Sequence, residues 1–161
     1  MSQQFHSSGR LMLYIVTLRG LFIVTISCKA VLYGDNHKST VLLVVPEWSE
    51  IRSWGIKNKL AGVTTESSAA QLSNEPAVIT LLTNEIQSAS NVLKSFERPV
   101  RFDIIEEPFT QENAMLTPKL SVRRQNVLKT YQDKIDKMYH NAGGYVLRVP
   151  ASYKELADKE E

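Results

Sequence analysis

Residues 30–46 read AVLYGDNHKSTVLLVVP, and the reading of this stretch decides the fold. Two apolar runs, AVLY at 30–33 and TVLLVV at 40–45, are separated by Gly34-Asp35-Asn36, a strong turn signal. Together they predict a β-hairpin with residues 34–38 at its tip. The second run is continuous and β-branched, so it reads as a buried strand. Pro46 ends it, because proline has no N–H to give to a sheet ladder. Trp48, Ile51 and Trp54 then recur every three residues, which predicts a helix from 47 to about 60 closed by Gly62.

Further along, 63–73 is polar and rich in Ser and Thr, and reads as a surface loop. Asn74-Glu75-Pro76 opens the clearest helix of the chain, since proline suits a first turn. Val78, Leu82, Ile86, Ala89, Leu93 and Phe96 fall three or four apart and give it one apolar face, up to a stop before Pro99. VRFDII at 100–105 alternates, as a strand with one wetter face does. The segment 109–116 is irregular. Ser121 is the N-cap candidate for a last helix, whose face is Val127, Leu128, Tyr131, Ile135, Met138 and Tyr139. The expected fold is therefore α+β: a small sheet with a hairpin, packed against two or three helices.

The stretch 11–28, LMLYIVTLRGLFIVTISC, is apolar apart from Arg19-Gly20. A membrane helix needs about 20 apolar residues. Arg19 would stand near its middle, at an insertion cost of roughly 2.5–3.5 kcal/mol. A signal peptide would use 11–18 as its apolar region, but no small-x-small cleavage site follows. Paired core strands, or sequence foreign to the domain after it, account for 1–27 better. A membrane segment and a targeting signal remain the alternatives.

A chain of 161 residues can bury one real core. Its net charge is +2, which creates no strong field for nucleic acid or anionic lipid. The single Cys28 excludes an internal disulfide, and a reducing compartment is the easier fit. No nucleotide-loop, zinc or serine-hydrolase motif is present. His6, His37 and His140 lie far apart and lack metal-ligand spacing, so no metal site is expected. Glu106 and Glu107, adjacent at a strand end, read as solvated carboxylates rather than an acid–base pair.

One feature resists the ordinary reading. AMLTPKLSVRR at 114–124 places Lys119, Arg123 and Arg124 around a Thr-Pro turn at the start of a helix. Cations at a helix N-terminus oppose the macrodipole. Either they are solvent-facing charges that tolerate a small cost, or a rigid turn is presenting a lysine to a phosphate or carboxylate.

The order of segments narrows the choice. AVLYGDN (30–36), VLLVVPEW (41–48), LKSFERP (93–99), VRFDIIEEPFTQENAMLTPKLSVRR (100–124) and YQDKIDKMY (131–139) together resemble the C-terminal domain of long-chain fatty acid–CoA ligases, in the AMP-forming, adenylate-forming superfamily. The resemblance covers about 26–139. It implies a small lid domain that swings over a large N-terminal adenylation domain. That enzyme uses ATP, Mg and CoA to turn a fatty acid into an acyl-adenylate and then a thioester. The lid contributes a lysine that bridges the carboxylate and the α-phosphate. The usual pattern is Leu-Thr-Pro-x-x-Lys, whose lysine position holds Ser121 here, while Lys119 stands two residues earlier. Two readings stay open: Lys119 as the carrier through a shifted turn, or a missing lysine. Arg123 and Arg124 would face the phosphate, and Gly34 and Asp35 at the hairpin tip would face CoA or the large domain.

The resemblance thus predicts an atypical apolar segment at 1–27, the C-terminal domain at 28–140 and a peripheral charged tail at 141–161. It implies a fragment of the ligase, inactive alone and binding no cofactor by itself, whose partner is the missing adenylation domain. Nucleic acid is not an expected partner. A cytoplasmic or peripherally membrane-associated chain is the expectation, with an N-terminal membrane segment as the other option. The competing hypothesis is a non-catalytic interaction or membrane-associated module that keeps the fold.

Overall fold

The computed structural model describes residues 28–147 except 35, 36, 38, 92, 95 and 96. The expectations placed on 1–27, Asp35, Phe96 and the last part of the tail lie outside the described residues. The elements in order are β1 (Cys28–Tyr33), β2 (Thr40–Pro46), α1 (Trp48–Lys57), α2 (Ala69–Ser73), α3 (Pro76–Ser90), β3 (Pro99–Ile104), α4 (Arg124–Thr130), α5 (Gln132–Tyr139) and β4 (Tyr145–Val146). The strands form one sheet in the order β1-β2-β3-β4. This is the expected α+β class.

The hairpin forms as its sequence predicts, with β1 and β2 antiparallel from Cys28↔Pro46 to Tyr33↔Val41. β2 then pairs with β3 in parallel. Parallel neighbours need a long crossover, and α1 to α3 supply it. Successive β2 side chains point to opposite faces, so its unbroken apolar run serves two cores. Leu42 and Val44 join Phe102, Ile104 and Leu147 beneath Trp48, Ile51, Leu72, Val78, Leu82 and Ile86 of the crossover helices. Val41, Leu43 and Val45 join Val31 against Val127, Ile135 and Met138 of α4 and α5, with Ile105, Phe109, Met115 and Leu116.

Several boundaries differ from expectation, each for a local reason. α1 ends at Lys57 rather than near 60 at Gly62. Lys59 takes the left-handed conformation, φ 55°, and the N–H groups of Lys59 and Leu60 donate to Ile56 O and Gly55 O at 3.0 Å each. That is a Schellman closure with lysine where glycine is usual. The expected loop at 63–73 contains α2, whose Ser68 hydroxyl accepts from Gln71 N at 3.2 Å. A five-residue helix is too short to show periodicity, and Leu72 is its one fully buried apolar residue. α3 stops at Ser90, well before Pro99; the Arg98 guanidinium takes the exit carbonyls of Leu93 and Asn91 at 3.0 and 3.1 Å. Leu93 is buried beyond the helix end.

Two further differences concern the C-terminal part. Ser121 is not an N-cap, because the helix begins three residues later with Arg123 in that position and no side-chain cap. The predicted last helix is two, joined at Tyr131, whose φ −107° and ψ 22° break the helical path. Its apolar face is as read, with Val127, Ile135 and Met138 buried and Leu128, Tyr131 and Tyr139 packed beside them. The part of the tail at 145–147 is not peripheral: β4 pairs Val146 with Arg101 and Tyr145 with Phe102, and Leu147 is buried. Gly144 permits this return with φ 70°, where an added Cβ would lie 2.8 Å from Phe102 O. Among the described residues no helix is long and apolar enough to cross a membrane.

Replacing Lys59 by Gly removes a left-handed Cβ at no cost in packing. Lys59→Gly is expected to raise unfolding stability by about 0.5–1 kcal/mol, read from urea denaturation. An unchanged midpoint would mean that the closure carries no strain.

Candidate functional site

The chain leaving β3 is fastened before it reaches the basic turn. Ile105 N donates to Val44 O at 2.8 Å, and the Trp48 indole N–H donates to Glu106 O at 2.8 Å. The Glu106 carboxylate accepts from the Ser73 hydroxyl at 2.9 Å, and the Tyr145 hydroxyl donates to Ser73 O at 3.4 Å. Burial, then the charges of Asp103 and Glu106, push the Tyr145 phenol above its ordinary pKa. Glu107 is engaged separately, accepting from Asn113 Nδ2 at 3.3 Å. The two glutamates therefore engage different parts of the chain, Glu106 the end of α2 and Glu107 the Asn113 turn, and form no acid–base pair.

Asn113 organises the next turn. Its side-chain oxygen accepts from Thr110 N at 3.0 Å and Met115 N at 3.2 Å, while Nδ2 also donates to Pro108 O at 2.9 Å. Asn126 Nδ2 donates to Ala114 O at 2.8 Å, tying this turn to α4. Glu112 at its rim has a carboxyl held below the ordinary range by its own backbone N–H first and by the Thr110 hydroxyl second. Met115 and Leu116 are buried and plug the turn into the sheet.

From there the chain makes a small hairpin. Leu116 bridges Val122, Thr117 N donates to Ser121 O at 2.8 Å, and Leu120 N donates to Thr117 O at 2.8 Å. The Thr117 hydroxyl also accepts from Ser121 N at 3.2 Å. The loop is Pro118-Lys119-Leu120, with Leu120 left-handed at φ 60°. Such three-residue loops place a left-handed residue last, normally glycine. Lys119 thus stands at the tip of a rigid turn, exposed, with no hydrogen bond or ion pair to the described residues.

The other predicted residues separate from it in role. Val122 packs into the core, so its neighbours Ser121 and Arg123 project the opposite way and are exposed. Arg123 N donates to Met115 O at 2.8 Å, leaving its guanidinium outside. Arg124 is half-buried and donates from Nη1 to Leu32 O of β1 at 2.6 Å. Gly34 follows β1, where an added Cβ would meet Thr40 Cγ2 at 2.5 Å, so its reason is close approach.

One aromatic clamp was invisible as such in the sequence. Tyr139 donates to Ser39 O at 2.9 Å across the base of the β1–β2 hairpin, and the His37 ring stacks on it with centroids 3.8 Å apart. Arg124 and Tyr139 thus fix the Gly34 hairpin to the same helices that carry the Lys119 turn. The open hollow of about 400 Å³ lined by Trp54, Pro76, Ala77, Thr80, Leu81 and Asn84 lies on the other side of the sheet and has no titratable side chain. The described residues contain no group of three His, Cys, Asp or Glu that could hold a metal ion. Lys119 and Arg123 are exposed cations of one hairpin, with exposed Ser121 between them in sequence.

The described residues thus form a mixed sheet with helices on both faces and a basic hairpin between β3 and the last helices. The solved structure of the adenylation–carrier didomain of a carboxylic acid reductase from Segniliparus rugosus, in complex with AMP, superposes with a TM-score of 0.55 at 21% identity, over 81% of this chain and 16% of that one. Residues 54–143 match the family model of the AMP-binding enzyme C-terminal domain. The chain belongs to this family.

The relatives include long chain acyl-CoA synthetase 1 of Arabidopsis thaliana, 34% identical over 66% of this chain and 16% of the relative. Long chain acyl-CoA synthetase 6, peroxisomal, from the same plant is 27% identical over 70% of this chain and 16% of the relative. Fatty acyl-CoA synthetase B of Dictyostelium discoideum is 25% identical over 67% and 16%. The chain thus spans about one sixth of the length of the curated relatives it matches.

Because Asn113 closes the turn that seats the hairpin, Asn113→Ala is expected to cost about 1–3 kcal/mol. Amide exchange should speed up at 115–123 more than elsewhere. Uniform change across the chain would count against a local role for Asn113.

Proposed function

We propose that this domain acts as the lid of a long-chain acyl-CoA synthetase, closing over an adenylation domain that binds ATP and a fatty acid. The observation that supports the reading is the Lys119 turn: in a domain of this family, an exposed ammonium without a partner among the described residues tips a hairpin fixed on both sides. Bringing a carboxylate to the α-phosphate of ATP sets two anions against each other. A cation fixed in advance where negative charge builds lowers that barrier without having to reorganise. Lysine suits this as a compact charge on a flexible stem. Arg123 supplies a second cation on the outer face of the same hairpin. Arg124 lies at the head of α4 and keeps the hairpin's end against β1.

In the same reading ATP and CoA are substrates of the assembled enzyme. ATP brings the phosphate that activates the acid, and CoA brings the thiol that takes the acyl group. No part of that chemistry rests on this chain alone, and Mg would be held elsewhere. Gly34 and Asp35 would stand toward CoA or the large domain. Fatty acid of long chain is the preferred acid, because the relatives named above are described as acting on it.

The test is fatty acid-dependent ATP–pyrophosphate exchange. The 161-residue chain is assayed alone, and with the large domain of an Arabidopsis long-chain acyl-CoA synthetase lacking its own C-terminal domain. Silence alone and exchange in the mixture are expected. Lys119→Ala should then lower exchange by about 10²-fold, the usual cost of removing one transition-state donor. A mixture that stays silent would favour the non-catalytic module, and full activity of Lys119→Ala would remove Lys119 from the chemistry.

A further inference from the structure

Four non-glycine residues among those described have positive φ: Lys59, Ala114, Leu120 and Asn141. Three of them are explained where they stand. Lys59 closes α1, Ala114 belongs to the Asn113 turn, and asparagine tolerates the left-handed region at the end of α5. Leu120 is different. It carries a γ-branched side chain in a conformation that glycine adopts freely, and that side chain is 64% exposed. A single exposed leucine is ordinary on a protein surface. A leucine held in strained backbone so that it projects from a hairpin tip is not, because fold stability would favour glycine there on both counts.

The turn that holds it is built to resist relaxation. Pro118 fixes one dihedral, Leu120 N and Ser121 N are both bonded back to Thr117, and Leu116 and Val122 anchor the two arms in the core. With these bonds in place the Leu120 backbone is held left-handed at the hairpin tip, where its side chain is exposed. It adjoins Lys119, and Arg123 follows on the same hairpin, while 114–124 has no acidic residue. The surface that would cover it therefore has an apolar socket beside a site that holds an anion.

We infer that Leu120 is the docking key of the Lys119 hairpin: it inserts into an apolar socket at the mouth of the adenylation domain and fixes the depth and aim of the lysine. The occupant of that contact is the large domain and no other partner, a choice that rests on the lid reading above. Leu120 is a positioning residue, since it acts through Lys119 and touches no reacting atom.

Strain and docking make opposite demands, which gives the test its sign. Leu120→Gly should raise the Tm of the chain by about 2–4 °C, as strain is relieved. The same variant should weaken binding to the large domain, measured by calorimetry or fluorescence anisotropy, by about tenfold or more. Its exchange activity should recover only in part at saturating chain, because the lysine is then bound but less well aimed, whereas Lys119→Ala should bind normally and gain nothing from saturation. Leu120→Met, which keeps apolar bulk, should bind within about threefold of the unmodified chain. If Leu120→Gly binds as tightly as the unmodified chain, the docking key is wrong and the lid reading survives. If the unmodified chain itself does not bind the large domain, the lid reading fails and takes the inference with it.

Discussion

β2 is the strand on which the rest of the structure depends. It pairs antiparallel with β1 on one side and parallel with β3 on the other, and its residues from Val41 to Pro46 are all buried. A strand in that position cannot alternate apolar with polar, because neither face meets water. The parallel pairing forces the chain across the sheet through α1 to α3. The same pairing leaves the opposite face uncovered until α4 and α5 arrive. Both helical layers are thus consequences of one strand being central.

That arrangement also determines where the basic turn lies. β3 delivers the chain at Ile104, next to β2, and the layer that must close the second face begins at Arg124. The nineteen residues between them have to span from the sheet to the helix. They do so through two small hydrogen-bonded turns, seated by Met115, Leu116 and Val122. The cations at the head of α4 face an unfavourable dipole worth about 0.3–1 kcal/mol at most. Arg124 offsets it by donating to Leu32 O at 2.6 Å. Arg123 and Lys119 make no comparable bond to the described residues, so the two neighbouring arginines differ: Arg124 is tied to β1, and the Arg123 side chain is exposed.

The hairpin, the buried strand, the faces of α3 and of the last helices, and β3 were all legible, because each repeats its signal over several residues. The misses are single-residue events. Leu72 anchors a helix too short to have a period. Lys59 performs a closure that sequence logic assigns to Gly62. Tyr131 interrupts a helix whose apolar spacing runs straight through it. Ser121 has the chemistry of an N-cap, but its backbone is committed to Thr117. In the candidate site, Lys119 stood out by its charge beside Pro118. Asn113 and Tyr139 did not, since a side chain that bonds distant backbone leaves no local pattern.

What the sequence determined by itself, then, was the set of elements, their apolar faces and the residue types gathered at 114–124. Those follow from periodicity and turn chemistry, which act between neighbours in the chain. The tertiary structure alone decided that Arg124 reaches Leu32, that Tyr139 clamps the β1–β2 hairpin, that 145–147 returns to complete the sheet, and that Leu120 projects where it cannot pack. Each of these depends on groups far apart in sequence meeting in space. The free energy of such a meeting is set by the packed sheet between them, and no window of sequence contains it.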